Sequence, residues 1–180
     1  MELLHAVCCE SGQPAIVRRM IDQEGFQRLL LLAYQWAKTR EEFILKQGAP
    51  LGPRQIADAH HVGVQDSSRV RLLVVDRIPF PANEELAKAA RRSQILTAAS
   101  RGMAIGHGII IRADCWQNRE LLLHQLVHVA QCERSGGLEL FIQEYLYDRR
   151  DASFSAGALE GEARRLAREI CAADAATKQA

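Results

Sequence analysis

Apolar residues recur at helical spacing along most of the chain. The first stretch covers residues 14–47, where Gly25 is a candidate break between two helices and Gly48 lies at the end. Five further helices are predicted. A proline that suits a first turn indicates one from Pro53, and an N-cap indicates one from Asn83 to about Ala99. Apolar composition and spacing indicate Arg119–Arg134, Leu138–Tyr147 and Leu159–Ala172.

Two segments are rich in β-branched residues instead. Val70–Asp76 (VRLLVVD) is followed by two prolines and predicts a strand. Met103–Arg112 (MAIGHGIIIR) predicts a second strand, in which two glycines indicate close approach of a ligand or another backbone. We therefore expect one α+β domain over residues 1–180, mostly helical. Residues 1–100 would form a helical part with one strand, and residues 101–175 the second strand and the last three helices.

Composition and charge exclude several classes of function. The chain has 180 residues and a formal net charge of +1, so it lacks an electrostatic footprint for nucleic acid or an anionic membrane. Its longest apolar run, Leu29–Tyr34, is too short to cross a bilayer, and residues 1–10 lack the basic start of a secretory signal. The five cysteines are an odd number and lack the spacing of a disulfide framework, which indicates reduced thiols and a cytoplasmic location.

Two histidines, His124 and His128, stand four residues apart in the helix predicted over Arg119–Arg134. This spacing places both imidazoles on one helix face, one turn apart, where they can bind a single tetrahedral metal ion. The surrounding residues are nearly all apolar, so the helix is expected to be buried. The ring nitrogens of the two buried histidines then need hydrogen-bond or metal partners. A bound metal supplies them; the alternative is a metal-free helical scaffold with two separately hydrogen-bonded core histidines.

The segment Leu121–Gln131 (LLLHQLVHVAQ) resembles the active-site helix of small gluzincin-type zinc metallopeptidases, which reads HELxHVxQ. The resemblance covers residues 100–170 and implies a zincin-like fold, a Zn²⁺ cofactor, a peptide or protein substrate and a glutamate as third ligand. Leu159–Ala167 (LEGEARRLA) is similar to the helix that supplies this glutamate, which favours Glu160 over Glu162. The family pattern expects an aspartate four residues further on, where this chain has Arg164.

Gln125 departs from the family pattern. By resemblance it occupies the general-base position, and an amide cannot accept the proton of a zinc-bound water. Because general-base assistance contributes about 10²–10⁴-fold in rate, the chain is expected to bind zinc and hydrolyse peptides poorly. Engineered inactivation and a natural pseudoenzyme both fit this glutamine. A non-catalytic protein-interaction module that keeps the fold is the alternative function.

Other residues are secondary candidates. By resemblance, the strand predicted at Met103–Ile111 pairs with extended substrate, so the candidate substrate-binding residues are Gly106, His107 and Gly108. The candidates for stabilising an oxyanion are Tyr145, Tyr147 and His107. Cys132 is typical of a buried structural thiol. Solvated positions are predicted for His60-His61, Arg91-Arg92 and Arg149-Arg150.

Overall fold

The computed structural model of the chain describes residues 15–151 and 157–177. Within these residues the helices are α1 (Ala15–Gln47), α2 (Pro53–His61), α3 (Glu84–Arg92), α4 (Arg119–Arg134), α5 (Leu138–Asp151) and α6 (Ala158–Thr177). The strands are β1 (Ala49–Pro50), β2 (Arg71–Val75), β3 (Gly102–Ile105) and β4 (Gly108–Arg112). The predicted α+β class is confirmed. The predictions for residues 1–10, including Cys8 and Cys9, lie outside the described residues.

The four strands form one sheet in the order β1-β2-β4-β3. β2 and β4 are parallel, with Leu72 opposite Ile109. β1 and β3 pair antiparallel with β2 and β4, respectively. Among the described strands β3 therefore has one free edge, on the side away from β4.

The sheet lies between two helical layers because its strands carry apolar residues on both faces. Leu72, Ile109 and Ile111 pack into a core with α4, α2 and α6. Ile105 and Ile110 face the opposite way and share a smaller core with α1. Every α4 residue from Leu122 to Cys132 except His124 is buried, as the mostly apolar sequence around the two histidines predicts.

α1 is one continuous helix, so the candidate break at Gly25 does not occur. A glycine inside a helix costs about 0.5–1 kcal/mol, and tertiary packing can offset that amount. α1 packs along α5 and both central strands. The predicted strand at Val70–Asp76 is confirmed as β2. α5 and α6 both continue beyond their predicted C-terminal ends.

The prediction of one strand over Met103–Arg112 was wrong, because the segment is a hairpin. β3 and β4 pair through Ile105 and Gly108, and Gly106 with His107 forms the turn between them. Gly106 has a φ of +57°, which glycine adopts without strain. The Glu41 side chain of α1 accepts a hydrogen bond from the His107 amide at 2.9 Å and fixes the turn.

The helix predicted to reach Ala99 ends at Arg92 instead. Its N-cap is confirmed, since the Asn83 side chain accepts a hydrogen bond from the Leu86 amide at 3.0 Å. At the other end the Ser93 hydroxyl donates to the Ala89 carbonyl at 2.9 Å, and Gln94 takes a φ of +55°. Neither glycine nor proline marks this helix end in the sequence.

No helix in the described part of the chain combines the length and the hydropathy that a membrane span requires. The described cysteines, Cys115, Cys132 and Cys171, are free thiols, and Cys132 is buried as predicted. The cytoplasmic location stays a prediction.

Candidate metal centre

His124, His128 and Glu160 form a compact group of potential metal ligands. Their ligand atoms all lie within 4.8 Å of one another. The Nε2 atoms of the two histidines are 3.1 Å apart, and the Glu160 carboxylate lies 3.3 Å from Nε2 of His128 and 3.6 Å from Nε2 of His124. α4 supplies both imidazoles and α6 the carboxylate, so the group could hold a metal ion where these two helices pack together.

Gln131 determines the orientation of the His128 ring. Its side-chain nitrogen lies 2.9 Å from the Leu159 carbonyl and 2.8 Å from the Glu162 carboxylate, and both of these groups only accept hydrogen bonds. The amide oxygen of Gln131 must therefore face Nδ1 of His128, 2.7 Å away, and accept its proton. Nε2 is then the nitrogen of His128 that faces His124 and Glu160.

The three side chains offer lone pairs toward one point. Nε2 of His128 lies 3.3 Å from a carboxylate oxygen of Glu160 and 3.1 Å from Nε2 of His124. A cation placed among these atoms could be bound by all three side chains.

Glu160 is held as a charged carboxylate. Burial raises the pKa of this group, but hydrogen bonds and charge from His128, with further contributions from Tyr145 and His124, outweigh burial and lower the pKa to about 2. The Tyr145 hydroxyl donates to Oε1 of Glu160 at 2.6 Å. Burial, together with the adjacent Glu160 charge, raises the pKa of Tyr145, so this hydroxyl keeps its proton. At neutral pH Glu160 is therefore an acceptor with a fixed donor on one oxygen.

His124 is held in its neutral form. Burial is the largest cause, with the neighbouring His128 the next, and together they lower the pKa of His124 to about 4. Neutral imidazole and ionised carboxylate are the forms in which these side chains bind metals.

Glu162, the alternative third ligand, is engaged elsewhere. Its carboxylate accepts hydrogen bonds from Gln131 at 2.8 Å and from Arg134 at 2.8 and 3.0 Å. It therefore supports His128 through Gln131 and does not belong to the three-residue group. Arg164, which stands where the family pattern expects an aspartate, lies 3.7 Å from Glu160.

Gln125 points toward the edge strand. It is only 4% exposed, and its amide nitrogen would lie 3.3 Å from a methyl group added at Gly102. Both cavities that meet at the three-residue group include Gln125 in their walls. The amide therefore lies beside the candidate metal position, between α4 and β3.

The two cavities differ in character. One, of about 400 Å³, extends from His124 between α1, α3, β3 and α5 and is mostly apolar. Its walls include Phe26, Trp36, Leu96, Met103, Phe141 and Ile142. The other is mostly polar and opens toward four arginines: Arg101, Arg149, Arg164 and Arg168. The prediction that Arg149 is simply solvated was wrong, because Arg149 lies in the walls of both cavities.

The predicted substrate-binding residues lie away from this group. Glu41 and Ile44 of α1 occupy the space beside Gly106 and Gly108, so the close approach predicted at these glycines is made by α1. The His107 ring lies 3.0 Å from Glu133, near the C-terminal end of α4. The strand residues that reach the cavities are Gly102–Ile105 of β3. Substrate pairing by this segment stays a prediction.

The remaining candidates have other contacts. The Tyr147 hydroxyl accepts a hydrogen bond from Gln27 at 3.2 Å, and its ring packs on Phe26. His60 and His61 are exposed, as predicted, and His60 contacts the Ser67 hydroxyl. Sequence reasoning assigned no role to Gln131, although it belongs to the quoted LLLHQLVHVAQ segment. Tyr145 was predicted to bind an oxyanion, whereas its hydroxyl donates a hydrogen bond to Glu160 in the structure.

Comparison of the chain with known protein families, curated proteins and solved structures found no match. The resemblance to gluzincin-type peptidases therefore rests on the α4 motif and on the geometry of the three-residue group.

Proposed function

We propose that this chain is a zinc-binding, gluzincin-like metallopeptidase whose hydrolytic activity is reduced by Gln125. The observation that carries the proposal is the convergence of His124, His128 and Glu160, whose ligand atoms all lie within 4.8 Å of one another. Two imidazoles and one carboxylate form the ligand set of catalytic zinc sites that keep the fourth position for water.

The spacing of the ligand atoms supports zinc. Zinc–ligand bonds of about 2.0–2.1 Å in a tetrahedron place neighbouring ligand atoms roughly 3.3 Å apart. The three separations in this chain are 3.1, 3.3 and 3.6 Å. Gln131 adds a hydrogen bond on the far nitrogen of His128, an arrangement that fixes the tautomer of metal-binding histidines.

Bound zinc would lower the pKa of its water and polarise a peptide carbonyl. The residues of this chain would hold and orient the reactants around it. Gln125 would hydrogen-bond the water without accepting its proton, and the Tyr145 hydroxyl would keep Glu160 in place. The free edge of β3 would bind an extended peptide, and the adjacent apolar cavity would accept one of its apolar side chains.

Metal analysis tests the first half of the proposal. We expect about one equivalent of zinc per chain after reconstitution and dialysis, and a lower melting temperature after chelation, because a ligand bound only to the folded state stabilises it. His124→Ala should lose the metal, whereas the exposed His61→Ala serves as the matched control and should retain it. Less than about half an equivalent, with no melting shift on chelation, would overturn the zinc assignment.

Reversion of the glutamine tests the second half. Gln125→Glu restores a general base and should raise hydrolysis of a mixed peptide library by about 10²–10⁴-fold, in a zinc-dependent manner. Gln143→Glu makes the same chemical change at an exposed position of α5 and should change nothing. A zinc-loaded Gln125→Glu protein without hydrolysis would reject the peptidase and favour the interaction module.

A further inference from the structure

Four arginines surround the polar cavity beside the candidate metal centre. Arg101 directly precedes β3, and Arg149 follows Tyr145 by one turn of α5. Arg164 and Arg168 follow Glu160 by one and two turns of α6. Because three separate elements contribute, the basic wall is a property of the assembled cleft and not of one charged helix face.

The acidic residues in the same walls do not balance these charges. Glu120 pairs with Arg168 at 3.5 Å, and Glu160 lies in the candidate metal group, 3.7 Å from Arg164. Within the described residues, Arg101 and Arg149 form no ion pair with a carboxylate. If Glu160 binds a metal ion, its charge is also shared with that ion, and the excess of positive charge increases.

Arg149 is the best placed of the four. It is half-buried in the walls of both cavities, and one Nη atom donates to the Ser93 carbonyl at 2.7 Å. Its buried Nε has no hydrogen-bond partner in the described chain. A partly buried guanidinium without a counter-ion is costly, and a bound anion would lower that cost.

We propose that the cleft selects peptides that carry a carboxylate next to an apolar residue, with the carboxylate bound by Arg149 and Arg101. This substrate class rests on the proposed peptidase function. The apolar cavity would receive the apolar side chain, and the arginine-lined cavity, which shares His124 with it, would receive the carboxylate. Arginine matches the planar geometry of a carboxylate with two parallel N–H donors. The carboxylate can come from the peptide C-terminus or from a neighbouring Asp or Glu side chain.

Calorimetric titration of the zinc-loaded chain with acetylated peptides containing one Phe among Ala residues tests this inference. One pair of peptides compares a free C-terminal carboxylate with a carboxamide, and a second pair, both amidated, compares Glu with Gln next to the Phe. We expect the charged member of at least one pair to bind about tenfold more tightly, as one charge-assisted hydrogen bond provides. The first pair identifies a terminal carboxylate, the second a side-chain carboxylate.

Variants connect this preference to the arginines. Arg149→Gln and Arg101→Gln should each remove most of the tenfold difference, whereas Arg149→Lys should retain part of it. Arg165→Gln is the matched control, since Arg165 is exposed on α6, pairs with Glu169 and lies outside both cavities. Equal affinity within both pairs would overturn the inference. So would a carboxylate preference that survives both glutamine variants.

These results separate the inference from the proposed function. A carboxylate preference in a protein whose Gln125→Glu variant hydrolyses nothing would support the anion site and reject the peptidase. Zinc-dependent hydrolysis by Gln125→Glu without any carboxylate preference would support the peptidase and reject the anion site.

Discussion

The amide oxygen of Gln131 lies 2.7 Å from Nδ1 of His128, and this contact determines which histidine nitrogen faces the candidate metal position. The Leu159 carbonyl and the Glu162 carboxylate fix the amide in turn. The candidate metal centre is therefore supported by a chain of hydrogen bonds that begins at the surface with Arg134 and Glu162 and ends at the buried His128.

Removal of the Gln131–His128 hydrogen bond should weaken metal binding, although all three candidate ligands remain. Gln131→Leu keeps most of the volume but loses the hydrogen bond to His128, and we expect a 10–100-fold lower zinc affinity with unchanged stoichiometry at saturation. Competition with a chromophoric chelator measures the affinity. Gln143→Leu, at an exposed position, is the control. An unchanged affinity in Gln131→Leu would show that the contact has no influence on the metal.

Glu160 and Glu162 of α6 should respond differently to the same substitution. Glu160→Gln replaces a ligand oxygen that lies beside both histidines, so its loss of zinc affinity should exceed the 10–100-fold expected for a supporting residue. Glu162→Gln still offers Gln131 an acceptor and should remain within that range. Zinc titration of both proteins decides the assignment, and a greater loss in Glu162→Gln would reverse it.

The sequence predicted the parts of the centre that depend on local spacing. His124 and His128 are four residues apart on one helix, so their proximity follows from helix geometry alone. The choice between Glu160 and Glu162 did not follow, because both flank the apolar stripe of α6. The structure separates them through the packing of that helix on α4, where Ala163 and Ala167 are fully buried.

Contacts between helices that are distant in sequence could not be predicted from the sequence pattern. Tyr145 reaches Glu160 only because α5 and α6 both pack against α4 and against each other. Arg149 lies one turn beyond Tyr145, and its position in the cleft depends on the same packing. The hairpin turn at Gly106-His107 was missed because the flanking residues read as one continuous apolar strand, and the turn conformation depends on Glu41 of α1.

Asp58 and Arg119 form a bidentate ion pair between α2 and α4, which should contribute to stability. Their nitrogen–oxygen distances are 2.6 and 2.9 Å, and Arg119 also contacts Asp174 of α6 at 2.6 Å. Arg119→Met leaves the Asp58 charge buried without its partner. Because Arg119 is partly exposed, we expect a loss of about 3 kcal/mol in the free energy of unfolding, at the low end for a broken buried pair.

Urea unfolding measures this loss, and two further variants calibrate it. Arg165→Met removes an exposed pair with Glu169 and should cost less than about 1 kcal/mol. The double variant Asp58→Leu/Arg119→Met removes both charges and should recover part of the loss. Equal stability of Arg119→Met and Arg165→Met would contradict a structural role for the pair.

Cys132 should make the folded chain less stable at alkaline pH. Burial, with smaller contributions from the charges of Glu41 and Glu133, raises the pKa of its thiol from 9.0 to about 12. Between these values the unfolded chain loses this proton while the folded chain retains it. The free energy of unfolding should therefore fall as pH rises from 9 toward 12, by about 1.4 kcal/mol per pH unit from this group, and be unaffected below pH 9.

Urea unfolding between pH 8 and pH 11 under reducing conditions measures how the free energy of unfolding changes with pH. Each variant is compared by the slope of this curve, which a constant loss of stability from a cavity does not change. Cys132→Ala should show a shallower decline above pH 9 than the parent chain, because the ionisable thiol is absent. Val129→Ala, at another fully buried position of α4, is the matched control and should retain the parent slope because it removes no ionisable group. Identical slopes in the parent and in Cys132→Ala would show that the thiol ionises equally in both states.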